Sequence, residues 1–293
     1  MKDKLIKSIY SLNDKSISIL DTSIGRGGDV GKYLKTDKKI SFLLGLDISP
    51  DVNKAAKRFY LENKNEIPSL FIQYDTSKQI SNSSGCIGNN IDRDRHLIDI
   101  IYAKQKSLPK ELRIIVPKYK GLAKKGFDLI SSQFTLHYYF RNEETLRGYI
   151  QNISENLKKG GHFIGTCYDG MKVYKTLEDL ENNCLEMNDE FGNKIYSIKK
   201  KYNLDNFNYT RDNKEKLLGQ QIDVYMNSIG DEYSEYLVNF ELLIDIMKEY
   251  DLEFSNSKYK KEFGELFNNE KFKYTNGFGG FEQIINELNN LYT

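Results

Sequence analysis

Tryptophan is absent from this 293-residue chain, proline occurs four times, and cysteine and histidine three times each. Cys86, Cys167 and Cys184 stand far apart, and His96, His137 and His162 share no ligand spacing with them or with one another. Neither a disulfide scaffold nor a structural zinc centre is therefore expected, and no metal site is read. No run of about 18 apolar residues occurs. The opening MKDKLIKSIYSLNDK also lacks the unbroken apolar core of an export signal. These absences predict a soluble, intracellular protein with no membrane partner. Charge of one sign is missing too: 43 Lys and Arg against 42 Asp and Glu leave a net +1. No global field advertises nucleic-acid binding, so any contact with RNA must be local. What is present is a hydrophobic fraction of 39%. That is enough for a real core and excludes disorder as a description of the whole.

Apolar periodicity at Leu5, Ile6, Ile9 and Tyr10 predicts a short helix over 2–12. Ile17, Ile19 and Leu20 form a compact strand-like run that breaks into SIGRGGD at 23–29, and a second run from Ile40 to Leu46 stops at Asp47. Residues 51–62 read as a helix, Leu70 to Tyr74 as a third strand ending at Asp75, and Phe127 to Ser131 as a fourth. Leu146, Tyr149, Ile150, Ile153 and Leu157 line one face of a helix, KKGG at 158–161 reads as the turn that closes it, and His162 to Cys167 is a fifth strand. Strands alternating with helices predict an α/β fold, an open parallel sheet covered on both faces. The alternation lapses between Gln79 and Lys125, where polar SNSSGCIGNNIDRDR at 81–95 reads as a surface insertion, followed by a helix at 96–107 and an apolar run at 112–116. Further on, strands are expected at 195–198, 222–226 and 252–255 and helices at 235–250 and 281–291. With no internal repeat and no Pro- or Gly-rich linker, one domain over 1–293 is the simpler account. Its core is placed at about 15–167, an insertion at about 80–125 and a substrate-side elaboration at about 168–293.

The turn carrying Gly25, Gly27 and Gly28 lets backbone approach a ligand closely and leaves helix-terminal N–H groups for its polar atoms. Alone, such a turn can equally be a tight strand-to-helix connection that binds nothing. Asp47 at the end of the second strand could accept both hydroxyls of a ribose, and Asp75 at the end of the third could accept a base amino proton. The loop matches neither G-x-x-x-x-G-K-[ST] nor G-x-G-x-x-G, which turns the reading away from ATP and nicotinamide cofactors. An adenosine ligand without pyrophosphate fits better, and S-adenosylmethionine is such a ligand.

These residues resemble one family, the mRNA cap (guanine-N7) methyltransferases of the giant-virus and eukaryotic type. Leu20-Asp21-Thr22-Ser23-Ile24-Gly25-Arg26-Gly27-Gly28-Asp29 is similar to the family's L-D-x-G-C-G-K-G-G-D, with Ser23 at its first glycine and Arg26 at its lysine. FDLISSQFTLHYYF at 127–140 resembles the family's F-D-[IV]-[SV]-S-x-Q-F-x-x-H-Y-x-F segment. NLKKGGHFIGT at 156–166, FGNKIYSIK at 191–199 and EYLVNFELL at 235–243 continue the resemblance in order. The closing NELNNLYT has no match to the family's terminal strand. The resemblance implies a class I AdoMet-dependent methyltransferase, a Rossmann-like mixed sheet with helices on both faces. It implies S-adenosylmethionine as methyl donor, the guanosine cap of RNA as acceptor, and guanylyltransferase and triphosphatase domains as partners in a larger capping polypeptide. It implies a cytoplasmic setting, or the nucleus in a eukaryote.

Position by position, the resemblance puts Lys7, Ser23, Gly25, Asp47, Asp75, Gln133 and Tyr138 on the cofactor, and Arg26, Lys32, His137 and Glu235 around the cap. A further phosphate-binding arginine would fall at Phe59, with Arg58 adjacent. Guanine N7 has an in-plane lone pair and no proton to lose, so transfer is an in-line displacement without a general base, and rate comes from placement and electrostatics. The groups expected to carry catalysis are Glu235, accepting guanine N1–H and N2–H, with His137 and Tyr138 holding the base. Two other readings stand beside this one, a small-molecule AdoMet-dependent methyltransferase and a non-catalytic cap-binding or stimulatory subunit of a capping enzyme. Lys199, Lys200 and Lys201 read as a solvated edge, with RNA guidance the lesser alternative.

Overall fold

The computed structural model describes residues 16–35, 40–63, 67–227 and 230–254. The helices expected at 2–12 and 281–291, and Lys7, lie outside the described residues. The chain divides into two compact units, one of Met1–Gln133 with Arg147–Gly165, the other of Phe134–Leu146 with Thr166–Thr293.

In the first unit, β1 (Ile17–Asp21), α1 (Val30–Leu34), β2 (Ile40–Asp47), α2 (Val52–Glu62) and β3 (Ser69–Gln73) follow one another as strand, helix, strand, helix, strand. After the 74–126 segment, which holds α3 (Ile91–Ile101) and α4 (Val116–Tyr119), come β4 (Phe127–Gln133) and later β5 (Leu157–Thr166). The sheet order is β3-β2-β1-β4-β5. The pairs β1–β2, β1–β4 and β2–β3 are parallel, with Leu20 opposite both Leu44 and Ile130. All five residues of β1 are buried, which requires cover on both faces of the sheet and explains its unbroken apolar run. Phe42 and Phe127 stack at 5.9 Å inside that cover. The strand order reverses between β1 and β4, the switch point outside which doubly wound sheets take their ligands. Asp21, Asp47, Gln73 and Gln133 are the last residues of the four strands on that side.

The 81–95 segment is exposed at most of its polar positions, as its polarity predicts, but it is anchored by the buried Ser83, Gly85, Cys86 and Asp94. Ile80, Ile98, Ile100 and Ile101 are fully buried, and Cys86 bridges Tyr74 as an added antiparallel partner. The Tyr74 hydroxyl donates to the Gln79 carbonyl at 2.6 Å and accepts from Gly85 N at 3.0 Å. Asn152 Oδ1 accepts from Ile80 N, while its Nδ2 donates to the Thr76 and Lys78 carbonyls. A Cβ on Gly85 would collide with the Asp75 carbonyl oxygen and the Tyr74 ring. Polar groups thus satisfy the backbone where the segment meets the rest of the unit. The helix expected at 96–107 runs five or six residues earlier, as α3. The 112–116 apolar run is a 3-10 turn, Lys110–Ile115, leading into α4. KKGG is not a turn either: β5 runs through it, with Gly160 at φ +79 absorbing the irregularity.

The second unit holds α5 (Leu136–Tyr139) and the start of α6 (Glu143–Asn156), then α7 (Gly170–Glu178) and a meander of β6 (Cys184–Asn188), β7 (Lys194–Lys200), β8 (Gln221–Met226) and β9 (Glu232–Tyr236), closed by α8 (Phe240–Glu249). The strands pair antiparallel in the order β6-β7-β8-β9. Ile198 lies opposite Val224, and Ile222 opposite Glu235, so Glu235 faces the same side as the buried β7 and β8 residues. Tyr174 stacks on Tyr202 and Phe207, both at 5.6 Å, as part of this unit's core. The helix expected over 235–250 starts later: Asn239 caps it, its Oδ1 accepting from Leu242 N at 3.0 Å, and Glu235 belongs to a strand. Residues 252–254 form no strand.

Candidate functional site

The glycine turn at the C-terminal end of β1 is tied to the ends of both neighbouring strands. Thr22 N donates to the Ser131 carbonyl at 3.0 Å, and Ile24 N donates to the Leu46 carbonyl at 3.0 Å. Asp47 grips the turn directly, with Oδ2 accepting from Gly25 N at 2.7 Å and Oδ1 from Ser49 N at 2.8 Å. Burial raises the Asp47 carboxyl above the usual range, and these two backbone bonds oppose that rise. Gly25 adopts φ +51 and Gly27 φ +78, conformations that a side chain would strain. Space around Gly28 is open, since an added Cβ there would meet nothing within 4 Å.

Ser23 is built into this turn. Its Oγ accepts from Gln133 N at 3.2 Å, and Gln133 Nε2 donates to Ser131 Oγ at 3.1 Å. Hydrogen bonds therefore join Ser23 to Gln133 and Gly25 to Asp47. Asp75 is placed close by through the chain, because Gln73 lies opposite Asp47 and Tyr74 N donates to the Asp47 carbonyl at 2.8 Å. Its own Oδ1 is taken up by Ser77 N and Ser77 Oγ.

The basic residues are less gathered. Arg26 is exposed and pairs with Asp51 at 2.7 Å. Lys32 pairs with Asp29. On α2, Phe59 is buried and Arg58 turns outward to Glu62 at 2.9 Å, as a one-residue step on a helix dictates. Lys200 pairs with Glu178 and Lys201 with Asp223, so two members of the 199–201 run are neutralised by neighbours.

In the second unit, His137 on α5 lies 3.5 Å from Glu235 on β9, Nε2 to Oε1. The imidazole is 3% exposed and the Glu235 residue 8%. Neither His137 ring nitrogen nor Glu235 Oε2 has a hydrogen-bond partner among the described residues. Burial pushes Glu235 up to about 7 and His137 down to about 3, each toward its uncharged form. Tyr138, by contrast, is exposed, with its ring 4.3 Å from His137. Tyr168 stacks beside His137 at 6.0 Å and 27°, and Tyr168 and Tyr196 both lie close enough to feel the Glu235 charge.

Sequence reasoning missed Tyr168 and Tyr196, and in the first unit Asp21 and Tyr33. Asp21 is 1% exposed and accepts from Ser23 N at 3.0 Å and from the Tyr33 hydroxyl at 2.7 Å. The strand end was available as a signal for Asp21. Nothing in spacing alone distinguished Tyr33 from any core tyrosine.

A parallel sheet of this order, with a glycine turn and acidic strand ends at its switch point, defines the class of Rossmann-like, class I AdoMet-dependent methyltransferases. The chain belongs to the mRNA (guanine-N(7))-methyltransferase domain family, whose profile matches residues 1–286. It is 29% identical over 268 residues to the mRNA cap guanine-N(7) methyltransferase of Candida albicans, a match covering 88% of this chain and 49% of that protein. The corresponding Meyerozyma guilliermondii protein is 29% identical over 87% of this chain and 41% of its own length. A probable mRNA-capping enzyme of Acanthamoeba polyphaga mimivirus is 29% identical over 79% of this chain and 18% of its own. The chain spans half or less of the length of these relatives. Among solved structures, an S-adenosylmethionine-dependent methyltransferase from Clostridium acetobutylicum is similar at a TM-score of 0.48 and 16% identity, over 85% of this chain and 78% of that one.

Proposed function

We propose that this protein transfers a methyl group from S-adenosylmethionine to N7 of the guanosine at the 5′ end of capped RNA, converting GpppN-RNA to m7GpppN-RNA, with residues 1–293 serving as one methyltransferase domain. The observation that carries the reading is the buried edge formed by Glu235 Oε2 and the His137 ring, which has no hydrogen-bond partner among the described residues. A buried carboxylate without a cation beside it costs stability unless something completes its hydrogen bonds. The N1–H and N2–H of guanine are two parallel donors of the right kind, and adenine offers no such pair.

The bound donor supplies a methyl group on a sulfonium, already activated for displacement. For that ligand the first unit offers a fitting cradle: Asp47 for the ribose hydroxyls, Asp75 for the base, and open space at Gly25 and Gly28. In the second unit Glu235, as carboxylate, fixes the guanine edge and favours the positive charge that grows on the purine as N7 is methylated. His137 serves that charge by remaining uncharged, since an imidazolium in contact would oppose it. Tyr138 and Tyr168 give the base flat aromatic neighbours. Arg26 and Lys32 are the residues assigned to the cap phosphates, which would take over from Asp51 and Asp29 as their partners. Arg58 is the neighbouring candidate for that role, and it is held by Glu62. Lys7 is assigned to the cofactor.

The capped RNA end is the substrate partner, and the family setting implies guanylyltransferase and triphosphatase domains as companions. No helix among the described residues is long and apolar enough to cross a membrane. Transfer of labelled methyl to GpppA and to GpppG-RNA, with none to free small-molecule acceptors, is the expected result. Transfer to small acceptors alone would overturn the assignment, and a chain that binds GpppA without transferring methyl would be a binding subunit.

A further inference from the structure

The first unit carries a buried polar chain that no substrate contact accounts for. Asp21, at the end of β1, is removed from water, and the charges nearest to it, Asp29 and Asp47, are themselves acidic. An isolated strand end has no need of such a group, and an apolar residue would pack there at lower cost. Its two oxygens are both in use. Oδ1 accepts from Ser23 N, so the first bend of the turn closes on its own starting residue. Oδ2 accepts from the hydroxyl of Tyr33, a fully buried residue of α1 twelve positions further on. The bond therefore spans the whole turn, from the strand that enters it to the helix that leaves it. At its side, Ser23 Oγ receives Gln133 N from the end of β4, across the switch point.

We propose that Tyr33 and the Ser23 hydroxyl are positioning residues that hold the 22–28 turn in its ligand-ready shape and so set the affinity for S-adenosylmethionine. The inference rests on the proposed cofactor site and goes beyond it by naming two hydroxyls that act through the turn. Holding the turn in advance removes the ordering cost that binding would otherwise carry. It also gives a definite role to Ser23, which stands where the resemblance places a glycine, because its Cβ carries a hydroxyl that fastens the turn to β4. Gly25 N, fixed on Asp47 two residues later, is the group whose place depends on this fastening.

The test is calorimetry with S-adenosylhomocysteine beside steady-state kinetics on GpppA, for wild type, Tyr33→Phe, Ser23→Ala and Ser23→Thr, with thermal unfolding to confirm that each is folded. Tyr33→Phe removes one hydrogen bond to a charged group, and Kd should rise about tenfold. The KM for S-adenosylmethionine should follow, while kcat at saturating donor and the KM for GpppA stay at wild-type values. Ser23→Ala should raise Kd about threefold, the scale of one neutral hydrogen bond, and Ser23→Thr should restore it. A pH series adds a readout that a merely structural role would not move. Without the Tyr33 donor, and with Asp29, Asp47 and Ser23 N unchanged around it, Asp21 takes up its proton at higher pH. The midpoint of ligand affinity against pH should then shift upward in Tyr33→Phe. Wild-type affinity in both Tyr33→Phe and Ser23→Ala would overturn the proposal. So would a parallel loss of kcat and affinity that threonine does not restore. Failure of the wild-type chain to bind S-adenosylhomocysteine would strike the cofactor reading itself, a separate outcome.

Discussion

Asp47 in the first unit and Glu235 in the second are both carboxylates drawn out of water, and they are treated in opposite ways. Asp47 has each oxygen engaged by a backbone N–H, from Gly25 and Ser49, so the turn it holds is closed by the protein's own groups. Glu235 has one oxygen 3.5 Å from an imidazole, and among the described residues its other oxygen and both ring nitrogens have no hydrogen-bond partner. The first arrangement holds the turn before any ligand arrives and keeps a second lone pair on each oxygen for the ribose hydroxyls of the proposed cofactor. The second, on the proposed reading, is finished by donors from outside. The difference separates a place that is preorganised by hydrogen bonds from one that selects its occupant by leaving an edge unsatisfied, where an analogue lacking the matching donors is rejected strongly.

If the first unit is self-contained, its stability should be sensitive to the packing behind its strand ends. Gly85→Ala should cost about 1–3 kcal/mol through collision with the Asp75 carbonyl and the Tyr74 ring, lowering Tm by several degrees. Gly28→Ala, where an added Cβ meets nothing, should leave Tm unchanged within about a degree. Equal effects in the two variants would contradict the self-contained account.

The unsatisfied edge makes a prediction in pH. Burial pushes the Glu235 carboxyl up to about 7, against an ordinary value of 4.5. A pKa raised by folding means that the folded state holds the proton more tightly. Its contribution to stability is full below pH 4.5 and is lost as pH rises through about 7. Glu235→Gln should therefore raise the Tm of the empty protein at about pH 8 and leave it near wild type at about pH 4. Guanine, on the proposed reading, needs the carboxylate, so affinity for GpppA should fall about tenfold for each pH unit below 7 in the wild type and lose that dependence in Glu235→Gln. A pH-independent wild-type affinity between about pH 5.5 and 7 would show that the edge is not read as an acceptor.

The smallest effect is expected on the outer face of α2. Arg58 is exposed and engaged with Glu62 one turn away, and such pairs contribute about 0.3–0.5 kcal/mol. Arg58→Ala should change stability by less than about 0.5 kcal/mol and the KM for capped RNA by less than about threefold. A larger rise in KM, measured at low salt, would show that the arginine leaves Glu62 for the cap phosphates.

The two regions are also unequally legible in the sequence. β1, the glycine turn, β2 and β4 announce themselves because a strand buried on both faces is an apolar run with an abrupt polar end, and those ends carry Asp47 and Gln133. The meander is half exposed, its runs are shorter, and β6 gives no readable signal. Glu235 reads as part of a helix because Leu237, Phe240 and Leu243 repeat at helical spacing. The cap at Asn239, which separates β9 from α8, is the signal that divides them. KKGG and SNSSGCIGNN read as turn and loop because glycine and asparagine usually are. Here Gly85 and Gly161 sit where neighbouring backbone leaves little room for a side chain, and that is a fact of three-dimensional packing. Tyr33, Tyr168 and Tyr196 escape a linear reading for the same reason, since each matters through a partner distant in the chain.

The most direct measurement is a crossed one: calorimetry of Asp47→Ala and Glu235→Gln, each against S-adenosylhomocysteine and against GpppA. Asp47→Ala should lose on the order of a hundredfold in affinity for S-adenosylhomocysteine, the scale of two charge-assisted hydrogen bonds, and keep GpppA. Glu235→Gln should keep S-adenosylhomocysteine and lose GpppA by a similar factor. Loss of both ligands in either folded variant, or of neither, would contradict the assignment of the two carboxylates to two different ligands.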